Sequence, residues 1–438
     1  MCRMTALVSV SSNLRPFVFC MVLACLSGCA VVDNILTMSS PYPIYPDDHL
    51  ERTTFPVVKG SDVIGRLAVI RLEEGDTLPD IARHFSLGIN EIRAANPGVD
   101  TWVPRTGERI ILPLRFILPD VPRRGIVINL AAMRLFHYKE KNDSLVAMTY
   151  PVGVGTTERP TPTGQMHVAR KVTRPTWYVP ASIAKDHRKK GDPLPAKVLP
   201  GPQNPLGEYA LYLSKSSYLI HGTNKPASIG LNATNGCLRL YPEDIKRLYE
   251  NTPVNTPVCI VNQPYLVGQR NGIVYLEAHA SMEDSGAVEV EKVHKKLRNI
   301  EKESGRALDW GKVEDVMAEA RGIPEPILVT DEARWFEQTI EVKHPATLYG
   351  KPEPPELKAE AWYVWAADVD DKIEALRIAA IINHQGPQIP ARVISRSEGY
   401  RVITGPYKNM SEARDALKRL KIDLEIDGIV IDPGKQAH

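Results

Sequence analysis

The spacing of apolar residues changes period several times along the chain, and each change marks an element. Residues 17–26, Phe-Val-Phe-Cys-Met-Val-Leu-Ala-Cys-Leu, form an unbroken apolar run behind Arg3 and Arg15. It is too short for a stable membrane span and predicts the apolar core of a signal peptide, residues 1–28. Residues 29–66, with Pro41, Pro43 and Pro46 and little periodicity, read as a tether. Leu67 to Leu72 alternates as a strand does. Leu78, Ile81, Ala82 and Phe85 then recur at helical spacing behind a Glu74-Gly-Asp-Thr77 turn that can cap the helix. Ile89, Ile92 and Ala95 predict a second short helix, stopped by Asn96-Pro97-Gly98, and Arg109–Leu112 closes with a strand. Residues 67–114 therefore predict a small β-α-α-β module.

From Gly125 to Val261 the period is two. Ile126–Ile128, Leu135–Phe136, Ala147–Tyr150, Met166–Val168, Ala210–Leu213 and Val258–Val261 read as short strands between Gly- and Pro-rich turns, an all-β domain over 123–263. Seven prolines between Pro175 and Gly207 predict a long loop, of the kind that serves as a binding loop or lid. A helix opening at Pro242 carries Ile245, Leu248 and Tyr249 on one face. Asn271-Gly272 between apolar runs predicts a type I′ hairpin. Two helices follow (Val290, Val293, Leu297, Ile300, then Val313, Val316, Met317, Ala320), giving an extension over 264–350. Residues 351–360 are a Pro-rich linker. The last segment, 361–433, reads β-α-β-β-α-β, with Ser411 as a helix N-cap, the split ferredoxin-like order.

Composition narrows the partners. With 54 Lys+Arg against 52 Asp+Glu and a formal charge of +2, the chain has no global electrostatic footprint for nucleic acid. Six cysteines in 438 residues are too few for a disulfide scaffold. Three of them, Cys2, Cys20 and Cys25, leave with a cleaved leader. What remains is Cys29, Cys237 and Cys259.

Three local patterns resemble known families. Leu26-Ser-Gly-Cys29 resembles the bacterial lipobox, which implies acylation of Cys29, a membrane anchor and, with Ala30 following, outer-membrane sorting in the periplasm. The Glu74-Gly-Asp-Thr77 entry, Ile81-Ala82, Phe85, Asn96-Pro97 and the Gly107…Ile-Ile-Leu-Pro113 exit resemble a LysM module, which implies binding to glycan strands. Tyr400-Arg-Val-Ile-Thr-Gly-Pro-Tyr407 with Ser411-Glu-Ala413 resembles a SPOR domain, which implies binding to peptidoglycan glycans. Trp362, Tyr363, Tyr400 and Tyr407 are then expected as stacking faces on its sheet.

The chemistry concentrates between residues 221 and 240, His-Gly-Thr-Asn-Lys-Pro-Ala-Ser-Ile-Gly-Leu-Asn-Ala-Thr-Asn-Gly-Cys-Leu-Arg-Leu. A cysteine is nucleophilic as thiolate and needs a base or a positive field nearby. His221, sixteen residues before Cys237 at the end of an apolar strand, can be folded back to it. Gly222 and Gly236 permit close backbone approach, and backbone N–H groups around Gly236 and Cys237 can address an oxyanion. A Cys237–Cys259 disulfide is an open alternative here. Zinc binding would need more ligands than this segment holds, so neither metal nor cofactor is expected.

His221-Gly222, Ile229-Gly230 and Thr234-Asn-Gly-Cys-Leu-Arg239, with Thr161-Pro-Thr-Gly164 upstream, resemble the L,D-transpeptidase catalytic domain of the YkuD type over about a third of the chain. The resemblance implies Cys237 as nucleophile and His221 as general base, its other nitrogen held by a carbonyl near Gly222. Arg239 would contact the donor's carboxylate or orient the loop. Thr234 keeps the family's usual hydroxyl, while Asn235 replaces its usual histidine and keeps only a hydrogen-bond donor. The implied reaction releases the terminal D-alanine of a tetrapeptide stem and passes the acyl group to an amine. That amine belongs to a neighbouring stem (a 3-3 cross-link) or to the C-terminal lysine of an outer-membrane lipoprotein. A cysteine hydrolase, or a non-catalytic tether between outer membrane and peptidoglycan, are the rival readings.

Overall fold

The alternating pattern of residues 125–261 builds one side of a nine-stranded sheet. In the computed structural model, which describes residues 44–45, 50–280, 286–329 and 339–433, the strand order is Leu238–Arg239, Leu219–His221, Tyr209–Leu213, Gly164–Thr173, Pro257–Val261, Gly125–Asn129, Arg134–Lys141, Ser144–Pro151 and Thr54–Pro56. Cys29 and the apolar leader lie outside the described residues. Pairing is antiparallel except between Pro257–Val261 and Gly125–Asn129 and between the two short strands at the Leu238 edge.

Strand alternation sorts the side chains into two cores. Ile126, Ile128 and Leu135 face one way, into a core completed by Ile245 and Leu248 of the helix Pro242–Asn251. Val127, Phe136, Tyr138 and Ala147 face the other way, into a core shared with Leu78, Ile81, Phe85 and Ile92. These last four belong to the small module, whose elements are the strand Ala68–Arg71, the helices Leu78–His84 and Ile89–Ala95, and the strand Arg109–Leu112. Thr77 caps the first of these helices by accepting from the Asp80 N–H. The junction is also polar. Arg134, almost wholly buried, makes a two-pronged contact with Glu91 at 2.6 and 2.7 Å and lies over the Phe116 ring. Gly88 and Gly230 touch backbone to backbone, where a Cβ on Gly230 would stand 2.6 Å from the Gly88 Cα.

Several expectations change. Thr54–Pro56 and Val63–Gly65, read as tether, are strands. The first adds an edge to the large sheet through buried Phe55, and the second pairs with Arg115–Ile117. Ile340–Val342, at the end of the extension, runs parallel to Ala68–Arg71 in the small module's own sheet. The catalytic region is not all-β. Besides the expected helix at Pro242, a helix Ala181–Lys189 occupies the segment expected as loop, flanked by a short ladder of Trp177–Tyr178 with Lys197–Val198. The prolines crowd its two ends and leave 181–192 free of them, so a helix fits. It buries none of its residues, which is why no apolar stripe announced it.

The extension folds around the hairpin Tyr265–Arg270 and Ile273–Ala278, whose turn holds Asn271 and Gly272 at φ 51° and 77°. Helices Gly286–Ser304 and Trp310–Glu319 cover it with Val293, Leu297, Val313 and Val316. Beyond the linker, the terminal segment has its own core and a four-stranded sheet ordered Ala391–Ser395, Tyr400–Tyr407, Trp362–Val369, Ile429–Ile431. Its second helix, Met410–Leu424, is capped by Asn409 rather than Ser411. Trp362, Tyr400 and Tyr407 pack against the helical core, not on an open platform. Trp365, under the Arg401 guanidinium at 3.7 Å, lies outside that core, as Tyr363 does. The pairing of the central strand Trp362–Val369 with Tyr400–Tyr407 slips between 362 and 364 and between 365 and 367; parity counted from Trp362 holds through Ala366 and reverses at Ala367.

One buried charge has a measurable cost. Asp244, in the first turn of Pro242–Asn251, is 1% exposed, and neither carboxylate oxygen has a hydrogen-bond partner among the described residues. Burial, with Glu243 adding repulsion, pushes its pKa up to about 7. An acid with a raised folded pKa is neutral in both states below about pH 4. As pH climbs from there towards 7, the unfolded chain ionises first and stability falls; above 7 the loss is complete. Asp244→Asn is therefore expected to flatten the pH dependence of Tm between pH 4 and 7 and to be the more stable protein at pH 8. Calorimetric scans of both proteins across that range check it.

Candidate active site

The site lies at the sheet edge, where two short strands run parallel. Ile220 stands opposite Leu238 and His221 opposite Arg239. Ile220 and Leu238 enter the core, so alternation sends His221, Arg239 and, one step before the strand, Cys237 to the other side. The fifteen residues between His221 and Cys237 are thus closed by a β-ladder.

His221 is buried, and its Nδ1 lies 2.6 Å from the Gly222 carbonyl oxygen. A carbonyl only accepts, so Nδ1 carries the hydrogen and Nε2 is left with its lone pair. Burial, reinforced by the nearby Arg239 charge, lowers the imidazole pKa to about 3. Cys237 is partly exposed and is a free thiol, as is Cys259, so the disulfide alternative is not formed. Its Sγ donates to the Ser217 carbonyl at 3.6 Å. Burial raises the thiol pKa, partly opposed by a backbone hydrogen bond from Leu219 and by Arg239. At rest the thiol and the imidazole are thus both neutral, and a thiol in that state would have to give up its proton to act as a nucleophile.

The cysteine turn is shaped from within. Gly236 sits at φ +100°, and a Cβ there would come 2.8 Å from the Tyr218 ring. Thr234 is buried; its hydroxyl donates to the Cys237 carbonyl at 2.6 Å and accepts from the Gly236 N–H at 3.1 Å. The hydroxyl expected of Thr234 thus braces the cysteine loop from within. The Gly236 N–H, anticipated as an oxyanion donor, is engaged by Thr234, and the Gly222 N–H is held by the Tyr209 carbonyl at 3.1 Å. Gly222 answers to crowding, since a Cβ would meet the Ile245 side chain at 3.2 Å. Arg239 is half-buried with its pKa lowered by burial, and its buried Nε has no hydrogen-bond partner among the described residues. It acts on the site as a positive field beside His221 and Cys237.

Sequence reasoning missed the residues around Asn235. Arg159 donates from Nη1 to the exposed Asn235 Oδ1 and from Nη2 to Asp186 Oδ2 at 2.5 Å, across to the helix Ala181–Lys189. These partners are 76 and 27 residues away in the chain, with no shared motif to link them. That helix carries Lys185, Arg188 and Lys189, and its return loop is fastened by fully buried Asn204. The Asn204 amide donates to the carbonyls of Pro175, Val198 and Leu199.

Two family models match the chain, that of the L,D-transpeptidase catalytic domain over residues 123–260 and that of the SPOR domain over 358–432. The protein named "Probable L,D-transpeptidase YbiS" of Escherichia coli strain K12 is 40% identical over 231 residues, covering 52% of this chain and 74% of that protein. "Probable L,D-transpeptidase ErfK/SrfK" of Salmonella typhimurium is 35% identical over 276 residues, 61% and 88% of the two chains. Among solved structures, the catalytic domain of an Enterococcus faecium L,D-transpeptidase is 21% identical with a TM-score of 0.25, covering 32% of this chain and 99% of that one. At 40% identity across 74% of such a relative, the chain belongs to the L,D-transpeptidase family.

Proposed function

We propose that this protein is a peptidoglycan L,D-transpeptidase whose nucleophile is Cys237 and whose general base is His221. The observation that carries the reading is the tautomer: with Nδ1–H given to the Gly222 carbonyl, Nε2 stays unprotonated on the sheet edge that also carries Cys237. In the reaction, Sγ attacks the carbonyl before the terminal D-alanine of a tetrapeptide stem while its proton passes to His221 Nε2. The tetrahedral intermediate collapses to a thioester, and the leaving D-alanine amine takes the proton from His221. An acceptor amine then attacks the thioester and gives its proton to His221, forming the new amide and restoring the thiol. A neighbouring stem's diamino acid or a lipoprotein's C-terminal lysine supplies that amine. Water in its place gives hydrolysis.

Asn235 stands in the position of the family's histidine, with its oxygen taken up by Arg159, and we assign its NH₂ as a donor towards the developing oxyanion. Arg239 lowers the cost of the thiolate as the proton leaves. Cys29 is proposed as the lipid attachment point, anchoring the body beside the wall it modifies. The β-α-α-β module is proposed as a LysM-like glycan reader, on the strength of its element order and its Glu74-Gly-Asp-Thr77 entry turn. The terminal segment matches the SPOR model, which places peptidoglycan among its partners, and Tyr363 and Trp365 are the aromatics offered for stacking. Incubation with tetrapeptide muropeptides followed by mass spectrometry tests the whole. Cross-linked products with loss of D-alanine are expected; tripeptides alone would make the protein a hydrolase, and unchanged substrate a tether.

A further inference from the structure

We infer that Arg159 is a positioning residue for this site, holding the cysteine turn to the Ala181–Lys189 helix through the Asn235 carboxamide and the Asp186 carboxylate. The inference rests on the acyl-transfer reading of Cys237 and His221.

The base of Arg159 is rigid. Its N–H donates to the Thr156 carbonyl at 3.1 Å, and the Thr156 N–H donates to the Thr234 carbonyl at 3.1 Å, within the strand that leads to Cys237. The Gly155 N–H donates to Thr161 Oγ1 at 3.0 Å. A Cβ on Gly155 would stand 2.3 Å from the Arg159 carbonyl oxygen, and one on Gly236 would stand 3.3 Å from that of Pro160. The turn carrying Arg159 is therefore packed directly against the turn carrying the nucleophile.

From that base the guanidinium divides its two η-nitrogens between two elements. A guanidinium only donates, so Asn235 must present its oxygen to Arg159, and its NH₂ is turned away from it. Arg159 thereby decides which end of the amide faces the rest of the site. Its other arm holds Asp186, whose pKa is lowered chiefly by that hydrogen bond. The helix bearing Asp186 buries no side chain, so its seat depends on polar contacts of this kind, with Lys418 on Asp192 at 2.9 Å holding the loop beyond its other end. Exposed ion pairs add little to global stability, so the loss of Arg159 is read in rate and not in Tm.

The test uses the full chain and follows covalent modification of Cys237 by a carbapenem with intact-protein mass spectrometry, alongside thermal unfolding. Arg159→Gln is expected to slow acylation about tenfold with Tm unchanged, an effect in the range of coupled polar pairs. Arg159→Lys is expected to restore only a minor part, because a single ammonium cannot reproduce the fork to two partners. In an Asn235→Ala background, Arg159→Gln should cost less than about twofold more, since its effect travels through Asn235. Wild-type rates in Arg159→Gln, or full multiplication of the two losses in the double variant, would overturn the inference. A wild-type protein that takes no adduct on Cys237 would instead overturn the acyl-transfer reading, so the two failures are told apart.

Discussion

Cys237→Ala is expected to abolish D-alanine release from tetrapeptide stems, by at least about four orders of magnitude, while leaving the fold as stable as before. The loss follows from chemistry: without Sγ there is no thioester, and the neighbouring groups can only polarise a carbonyl that nothing attacks. Preserved stability follows from the contacts. The thiol is partly exposed, and its contacts are the long 3.6 Å hydrogen bond to the Ser217 carbonyl and a backbone hydrogen bond from Leu219. Removing it should shift stability by no more than about 0.5 kcal/mol. Muropeptide analysis and a thermal melt of the same preparation measure both. Cys259 supplies an internal control. It lies in the strand Pro257–Val261, paired on both sides, and accepts from Gln165 Nε2 at 3.0 Å. Turnover surviving in Cys237→Ala, or a carbapenem adduct on Cys259, would remove Cys237 from the mechanism.

The second large effect is in the pH profile. Burial lowers the His221 pKa to about 3 and holds the Cys237 thiol above its ordinary value, so the reactive form, neutral thiol with free imidazole, persists from about pH 4 up to that raised thiol value. Acylation by the wild type should therefore be flat across that interval, with no limb at the ordinary histidine value near 6.5. His221→Ala removes the acceptor of the proton, and only the pre-formed thiolate can then react. Its rate at pH 7 should fall by about 10² to 10⁴ and rise roughly tenfold per pH unit until the raised cysteine pKa is passed. A wild-type limb near 6.5 would mean that the imidazole is solvated in the working enzyme, against its burial here. A flat profile in His221→Ala would show that another group takes the proton.

What could be read from the chain and what could not divides along physical lines. The strands of the large sheet announced themselves because Ile126, Ile128 and Leu135 are buried on one side and Val127 and Phe136 on the other. The pairing of His221 with the Cys237 turn was legible because glycines flank both. The helix Ala181–Lys189 was invisible because it buries nothing, and a sequence reports helices mainly through what they bury. Arg159 and Asp186 were invisible for another reason: their meaning lies in contacts to distant segments, and a lone surface arginine or aspartate has no pattern of its own. Thr54–Pro56 escaped because a three-residue edge strand with one buried side chain carries too few positions to show alternation. The terminal sheet misled for a simpler reason: alternation puts Trp362 on the core side with Val364 and Ala366 and leaves Tyr363 and Trp365 off it, so the aromatics could not all share one open face.

The core that Phe85 and Ile92 share with Val127 and Phe136 fixes the distance between the small module and the thiol. Modules on a flexible string would let the reactive centre sample many stems around one point of attachment. A module welded to the back of the catalytic sheet makes the pair a ruler. Were the module to grip a glycan strand, as proposed, the cysteine would fall at one set offset along the sugar repeat and on one side of it. The choice of stem then becomes a matter of helical phase along the strand, and the products would carry a periodicity inherited from the enzyme's own architecture.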